Sequence, residues 1–344
     1  MARGYSSYRG RKPKWKTVVA CVLVLIILAA VGFMLLQRFV VYDDMGVPQL
    51  SLPGAEKEKP QFSVPGEVDI TFEEEEEPEQ AEVELLQAVQ LDKDPALWAG
   101  QLLSSDYQAF CVTVKAGGGQ LQYPFKTGAV GQVRSNTAAT AAEVLPDLLN
   151  SEAYSIARLS CLRDGSVARA NVETMGLKNT GGFLFYDGNN ENWLDPAKDA
   201  ARAYLGALAV ECADMGFDEI LLTDLSYPTE GKLDKIAYNV PGSPVLYSWN
   251  AEQMAGLVAA IREALGDRAV KLSVELPVSV LENGGVDEIA GIDLEQWEQI
   301  DCMYVPTTAD RVEALQAEVP EGIVLIPEVE SVLAGEVSYL LLTP

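Results

Sequence analysis

The sequence predicts an α/β fold, a (β/α)8 barrel of the TIM type. Three observations predict it. From Glu82 onward, short apolar runs alternate with helical stretches eight times over about 260 residues, the size of one such barrel. The stretch Gly216 to Pro228 reads as a helix C-cap, a buried strand and a loop. Its polar residues, Thr223, Asp224 and Ser226, come only after the apolar Ile220-Leu221-Leu222, at the end where a parallel barrel carries its chemistry. Finally, the chain has no Gly-x-Gly-x-x-Gly turn and no Walker motif, which an open doubly wound nucleotide fold would carry.

The barrel is predicted to occupy residues 82–344, behind three other segments. Residues 1–16 form a basic tail with Arg3, Arg9, Arg11, Lys12, Lys14 and Lys16 and no acid. Residues 17–36 carry no charge, and about 20 helical residues span about 30 Å of bilayer core. With the basic side kept inside, this predicts a single transmembrane helix, a cytoplasmic N-terminus and an extracytoplasmic barrel at the cell membrane. The rival, a cleaved signal peptide, would have an unusually long apolar region and no clear Ala-x-Ala site. Residues 37–81 read as a linker, with five prolines between Pro48 and Pro78 and the acidic run Glu73 to Glu77. Such a segment repels itself into an extended, disordered form.

Within the barrel, strands are expected near Val83–Leu91, Ala109–Lys115, Tyr154–Leu162, Glu219–Leu225, Val270–Leu276, Ile300–Val305, Gly322–Pro327 and Val337–Leu342. Asp94-Pro95 reads as an N-cap and N1 pair opening the first helix. Further helices are expected over 140–150, 196–215, 251–265, 294–299 and 309–318. The eighth strand is followed by no helical stretch.

Composition excludes several functions. A formal charge of -26 leaves no basic face for nucleic acid. With no histidine, Ser-His-Asp and Cys-His catalysis and His-based metal sites are ruled out. The five cysteines form no Cys-x-x-Cys pair, and Cys111, Cys161 and Cys302 fall in predicted strands as core residues. No cofactor, nucleotide or metal is expected, calcium being the one ion that the surplus of carboxylates leaves open. Carboxylate chemistry remains.

Several blocks carry a resemblance. Gly216-Phe217-Asp218-Glu219-Ile220 and Pro228 fit the pattern Gly-Phe-Asp-Glu-Ile-x-Phe-Asp-Tyr-Ile-Arg-Phe-Pro. Ala109 to Lys115 with the following glycines, Ile156-Ala157-Arg158 with Arg163-Asp164, and Trp193-Leu194-Asp195-Pro196 fit further blocks in order. On these residues the chain resembles the glycoside-hydrolase-like family known as domain of unknown function 4015, related to the amylase-like barrels. The resemblance implies a glycan ligand and acidic residues at strand ends. This chain departs from it there: Thr113 and Thr223 stand where the family has aspartates, and Ser226 where it has arginine. Glu275 keeps the acidic position of the fifth strand.

A glycosidase needs two carboxyl groups flanking one bond. Glu275 is the first candidate, and the second must come from Asp224, Asp164 or Asp187, although strand alternation after Thr223 would turn Asp224 toward the helices. Thr223 itself should point into the barrel mouth. Expected substrate contacts are Lys115, Arg158, Asp164 and Thr223, with Tyr123, Tyr186, Trp193, Tyr227 and Tyr304 as stacking surfaces for sugar rings. Two functions follow. One is a membrane-anchored barrel that binds an envelope or extracellular polysaccharide with lost or weak catalysis, which the missing acids favour. The other is an active glycosidase using Glu275 with Asp224.

Overall fold

Eight parallel strands close on themselves in the computed structural model, which describes residues 40–42, 48–50, 85–104, 107–238, 246–297, 300–320 and 322–343. The strands are β1 Gln87–Gln90, β2 Ala109–Ala116, β3 Tyr154–Ser160, β4 Glu219–Thr223, β5 Lys271–Glu275, β6 Cys302–Pro306, β7 Val324–Val329 and β8 Tyr339–Leu341. Each pairs with the next, and β8 pairs with β1 to close the ring, Leu340 opposite Ala88. All eight expected strands are present and in order, giving the predicted TIM-like α/β barrel.

The unit Gln80–Pro344 holds this barrel. Of residues 1–79, the structure describes a two-stranded antiparallel hairpin, Val40–Tyr42 with Pro48–Leu50. The basic tail and the apolar run 17–36 lie outside the described residues. Among the described residues, no helix is long and apolar enough to cross a membrane.

The core forms two layers because strand side chains alternate. One set, including Ala88, Cys111, Ile156, Leu221, Tyr304, Ile326 and Leu340, fills the barrel axis. The other, including Phe110, Val112, Ala157, Leu159, Ile220, Leu222 and Val274, packs outward with residues of the helices. Each fully buried Leu or Ile of this kind contributes about 1.5–3 kcal/mol. Two residues above the axial layer, alternation places Gln90, Thr113, Arg158, Thr223, Glu275 and Glu328 at the C-terminal mouth.

The helices are α1 Trp98–Leu103, α2 Ala138–Leu149, α3 Gly165–Ala170, α4 Asp199–Met215, α5 Leu246–Leu265, α6 Val278–Glu282 and α7 Val312–Gln316. As expected, the Asp94 side chain accepts from Ala96 N, capping the single turn Pro95–Leu97 before α1. Gly216 ends α4 in the left-handed region, φ +101°. The expected helix at 294–299 is one turn, Leu294–Gln296, and the one at 309–318 is a turn, Ala309–Arg311, followed by α7. The short α3 and α6 are additions. Asp164 starts α3 by accepting from Val167 N at 2.9 Å.

Candidate active site at the barrel mouth

The strand ends surround a cavity of about 510 Å³, lined by residues from β1 to β5 and the loops after them, together with Leu342 and Thr343. Glu275, Asp224, Thr223, Thr113, Arg158, Arg163, Gln90 and Trp98 all face it.

Arg158, on β3, organises one side. Its Nη1 donates to Glu328 Oε1 at 2.7 Å and its Nη2 to Glu328 Oε2 at 3.3 Å. The same Nη2 also donates to Glu275 Oε2. One guanidinium thus serves two carboxylates, a geometry its planar fork allows. The Glu328 side chain is almost fully buried, whereas about a quarter of the Glu275 side chain remains exposed. Burial chiefly, and then the charge of Glu328, push the Glu275 carboxyl up to about 7 against the pull of Arg158; the charge of Asp224 pushes in the same direction.

Asp224 shapes the other side. The expectation that it faces the helices is corrected: it lines the cavity beside Thr223. Strand pairing ends at Thr223, and Asp224 takes φ +52° in the left-handed region, which breaks the alternation. Aspartate tolerates this conformation better than most residues. Its carboxylate is held there, Oδ2 accepting from Ser160 Oγ at 2.6 Å and Oδ1 in an ion pair with Arg163 Nε at 3.1 Å. Arg163 also donates to Glu191 at 3.2 Å. The glycine turn after β2 makes room for this arginine, because a Cβ on Gly117 would lie 2.3 Å from the guanidinium. Thr223 points into the mouth as expected.

The other expected contacts are more deeply placed or lie outside the cavity lining. Lys115 is fully buried, and its ammonium serves Ser160 O at 2.6 Å, Cys161 O at 3.3 Å and Asp164 at 3.1 Å, which uses its three donors. It lies in the wall of the cavity, next to an irregularity in the β2–β3 register between Thr113 and Lys115. Asp164, also fully buried, answers that charge and caps α3. Tyr304 lies buried on the barrel axis, and Tyr227 is buried against Tyr238 at 5.3 Å. Trp193 is buried with its Nε1 on Asp187. Tyr123 packs edge-on against Phe125, and Tyr186 is exposed; neither lines the cavity. The stacking role expected of Trp193, Tyr227 and Tyr304 is therefore corrected, because their rings are buried. The aromatic at the cavity is Trp98, fixed by its Nε1 on Asp92 O at 2.7 Å. Sequence reasoning does not reach Glu328, although it repeats the signal of Glu275, an acid closely following an apolar strand run, and it places Arg163 in a resembling block without a site role.

The cysteines Cys111, Cys161, Cys212 and Cys302 are free and buried, the core role expected of all but Cys212. Burial pushes the Cys161 and Cys302 thiols up to about 12, so they are not nucleophiles. Among the described residues no group of His, Cys, Asp and Glu is placed to hold a metal ion.

Several solved structures are similar to this chain. The glycoside hydrolase domain of PgaB (BpsB) from Bordetella bronchiseptica is 14% identical, with a TM-score of 0.51, covering 75% of this chain and 93% of that one. A hypothetical protein from Ruminiclostridium thermocellum is 22% identical, with a TM-score of 0.45 over 55% of this chain and 96% of its own. A GH20 exo-β-N-acetylglucosaminidase from Vibrio harveyi is 9% identical, at 0.46, over 71% and 41%. No curated protein matches the chain by sequence. The model of domain of unknown function 4015, described as a "Putative glycosyl hydrolase domain", matches residues 102–302, and the chain belongs to that family.

Proposed function

We propose that this barrel binds a polysaccharide across its mouth and hydrolyses it with Glu275 as proton donor and Asp224 as the second carboxylate. The observation that carries this is the meeting of the two side chains on one cavity. A carboxyl pushed up to about 7 is about half protonated at neutral pH, as a general acid requires. Asp224, oriented by Ser160 and Arg163, then serves as nucleophile or activates water. Retention of anomeric configuration in the product identifies the first role and inversion the second. The uncharged run 17–36 anchors the chain in the membrane in this reading, and the barrel meets an envelope or extracellular glycan outside.

A second reading is glycan binding without turnover. Thr113 and Thr223 favour it, since both line the cavity where the family carries acids. So does Arg158, which occupies one oxygen of Glu275. Incubating the protein with panels of cell-wall and storage glycans, and scoring both binding and reducing-end release, tests the proposal. Release supports hydrolysis, binding alone supports the second reading, and neither removes both.

A further inference from the structure

We propose that Glu328 is a positioning residue of this site, holding Arg158 by both arms so that Glu275 is left with only a shared donor. The geometry supports this directly. Glu328 takes Nη1 and Nη2 of Arg158, whereas Glu275 receives only Nη2, which Glu328 already engages. Glu328 does not line the cavity, and its side chain is almost fully buried, so it acts through Arg158 and through its own charge. It sits on β7, whose backbone fixes it: Glu328 O accepts from Thr307 N at 2.9 Å, and the residue pairs with Pro306 and Leu340.

The charged groups facing Glu275 are Arg158 from β3, Asp224 from the end of β4 and Glu328 from β7. Its register partner on β6 is Tyr304, whose phenol burial keeps neutral, and the buried Cys111 thiol of β2 is likewise neutral. Arg158 is thus the one cation among these groups. Without Glu328, its whole fork turns to Glu275 and the carboxylate form gains.

As a positioning role this rests on the hydrolase reading, but its effect on protonation does not. The test is a pH titration of the Glu275 carboxyl carbon by NMR in the full-length protein, with Glu275→Gln assigning the signal. Glu328→Gln keeps the shape and removes the charge. It should lower the Glu275 midpoint by about one pH unit or more, the usual effect of a neighbouring charge. Glu328→Asp, which retains the charge but withdraws it by one methylene, should lower it by less and serves if the first variant fails to fold. An unchanged or raised midpoint in the folded variant overturns the proposal. A lowered midpoint in a protein without turnover sustains the Glu328 effect and sinks only hydrolysis.

Discussion

Thr223 and Asp224 are neighbours in sequence and both line the same cavity, which regular strand geometry forbids. The left-handed backbone of Asp224, φ +52°, makes it possible, and Ser160 and Arg163 hold the result. The acid that the end of β4 brings to the cavity is thus at position 224, beside a threonine at 223.

Glu275 sets a pH dependence of stability. Its carboxyl stands near 7 when folded and near 4.5 in a free chain. A raised carboxyl favours the fold fully below about pH 4.5, and this contribution disappears as pH rises through 7. The amount is at most about 3 kcal/mol. Chemical denaturation of wild type and Glu275→Gln from pH 4 to 8 measures it. The wild type should lose stability relative to the variant across that window, and parallel curves would show that Glu275 does not titrate there.

The Lys115–Asp164 pair should be structural. Both side chains are fully buried and 3.1 Å apart. Asp164→Ala leaves an ammonium without its partner and removes the α3 cap, and should cost about 3–5 kcal/mol. Thermal melts check this. A melt close to wild type would contradict the pairing.

Gly119 should not tolerate a side chain. It sits at φ +88°, and a Cβ there would lie 1.8 Å from Asp164 Oδ1. Gly119→Ala should destabilise by about 1–3 kcal/mol through strain and a displaced Asp164. Gly118→Ala, where a Cβ would meet open space, should pay only for its φ of +80°. Equal losses for the two would show that the contact with Asp164 is not felt.

The proposed topology predicts a protease result. Protease added to intact cells should cut between residues 47 and 80 and release a barrel-sized fragment. Protection until lysis would reverse the orientation. A mature protein starting near Leu36 and free in the medium would make the run 17–36 a signal peptide.

The barrel was legible because parallel strands are covered on both faces and write themselves as short apolar runs, Ile220 to Leu222 being one. Glu275 was legible as an acid at the end of such a run. Asp224 was misplaced because its backbone conformation accompanies contacts with Ser160 and Arg163, 64 and 61 positions earlier in the chain, which local pattern cannot show. Glu328 is hidden because the local pattern ends the seventh strand at Pro327, whereas the strand runs on to Val329. The aromatics misled for a plain reason: composition shows that a ring is present, not whether it fills the axis, as Tyr304 does, or faces solvent, as Tyr186 does.

The pairing of Glu275 with Asp224 is the central claim, and steady-state hydrolysis by wild type, Glu275→Gln and Asp224→Asn on a glycan that the protein binds tests it most directly. The account predicts wild-type turnover that falls as pH rises through about 7, and a loss of about 100-fold or more in either variant with binding retained. A wild type that binds glycan with no turnover, or turnover that survives Asp224→Asn, would contradict it.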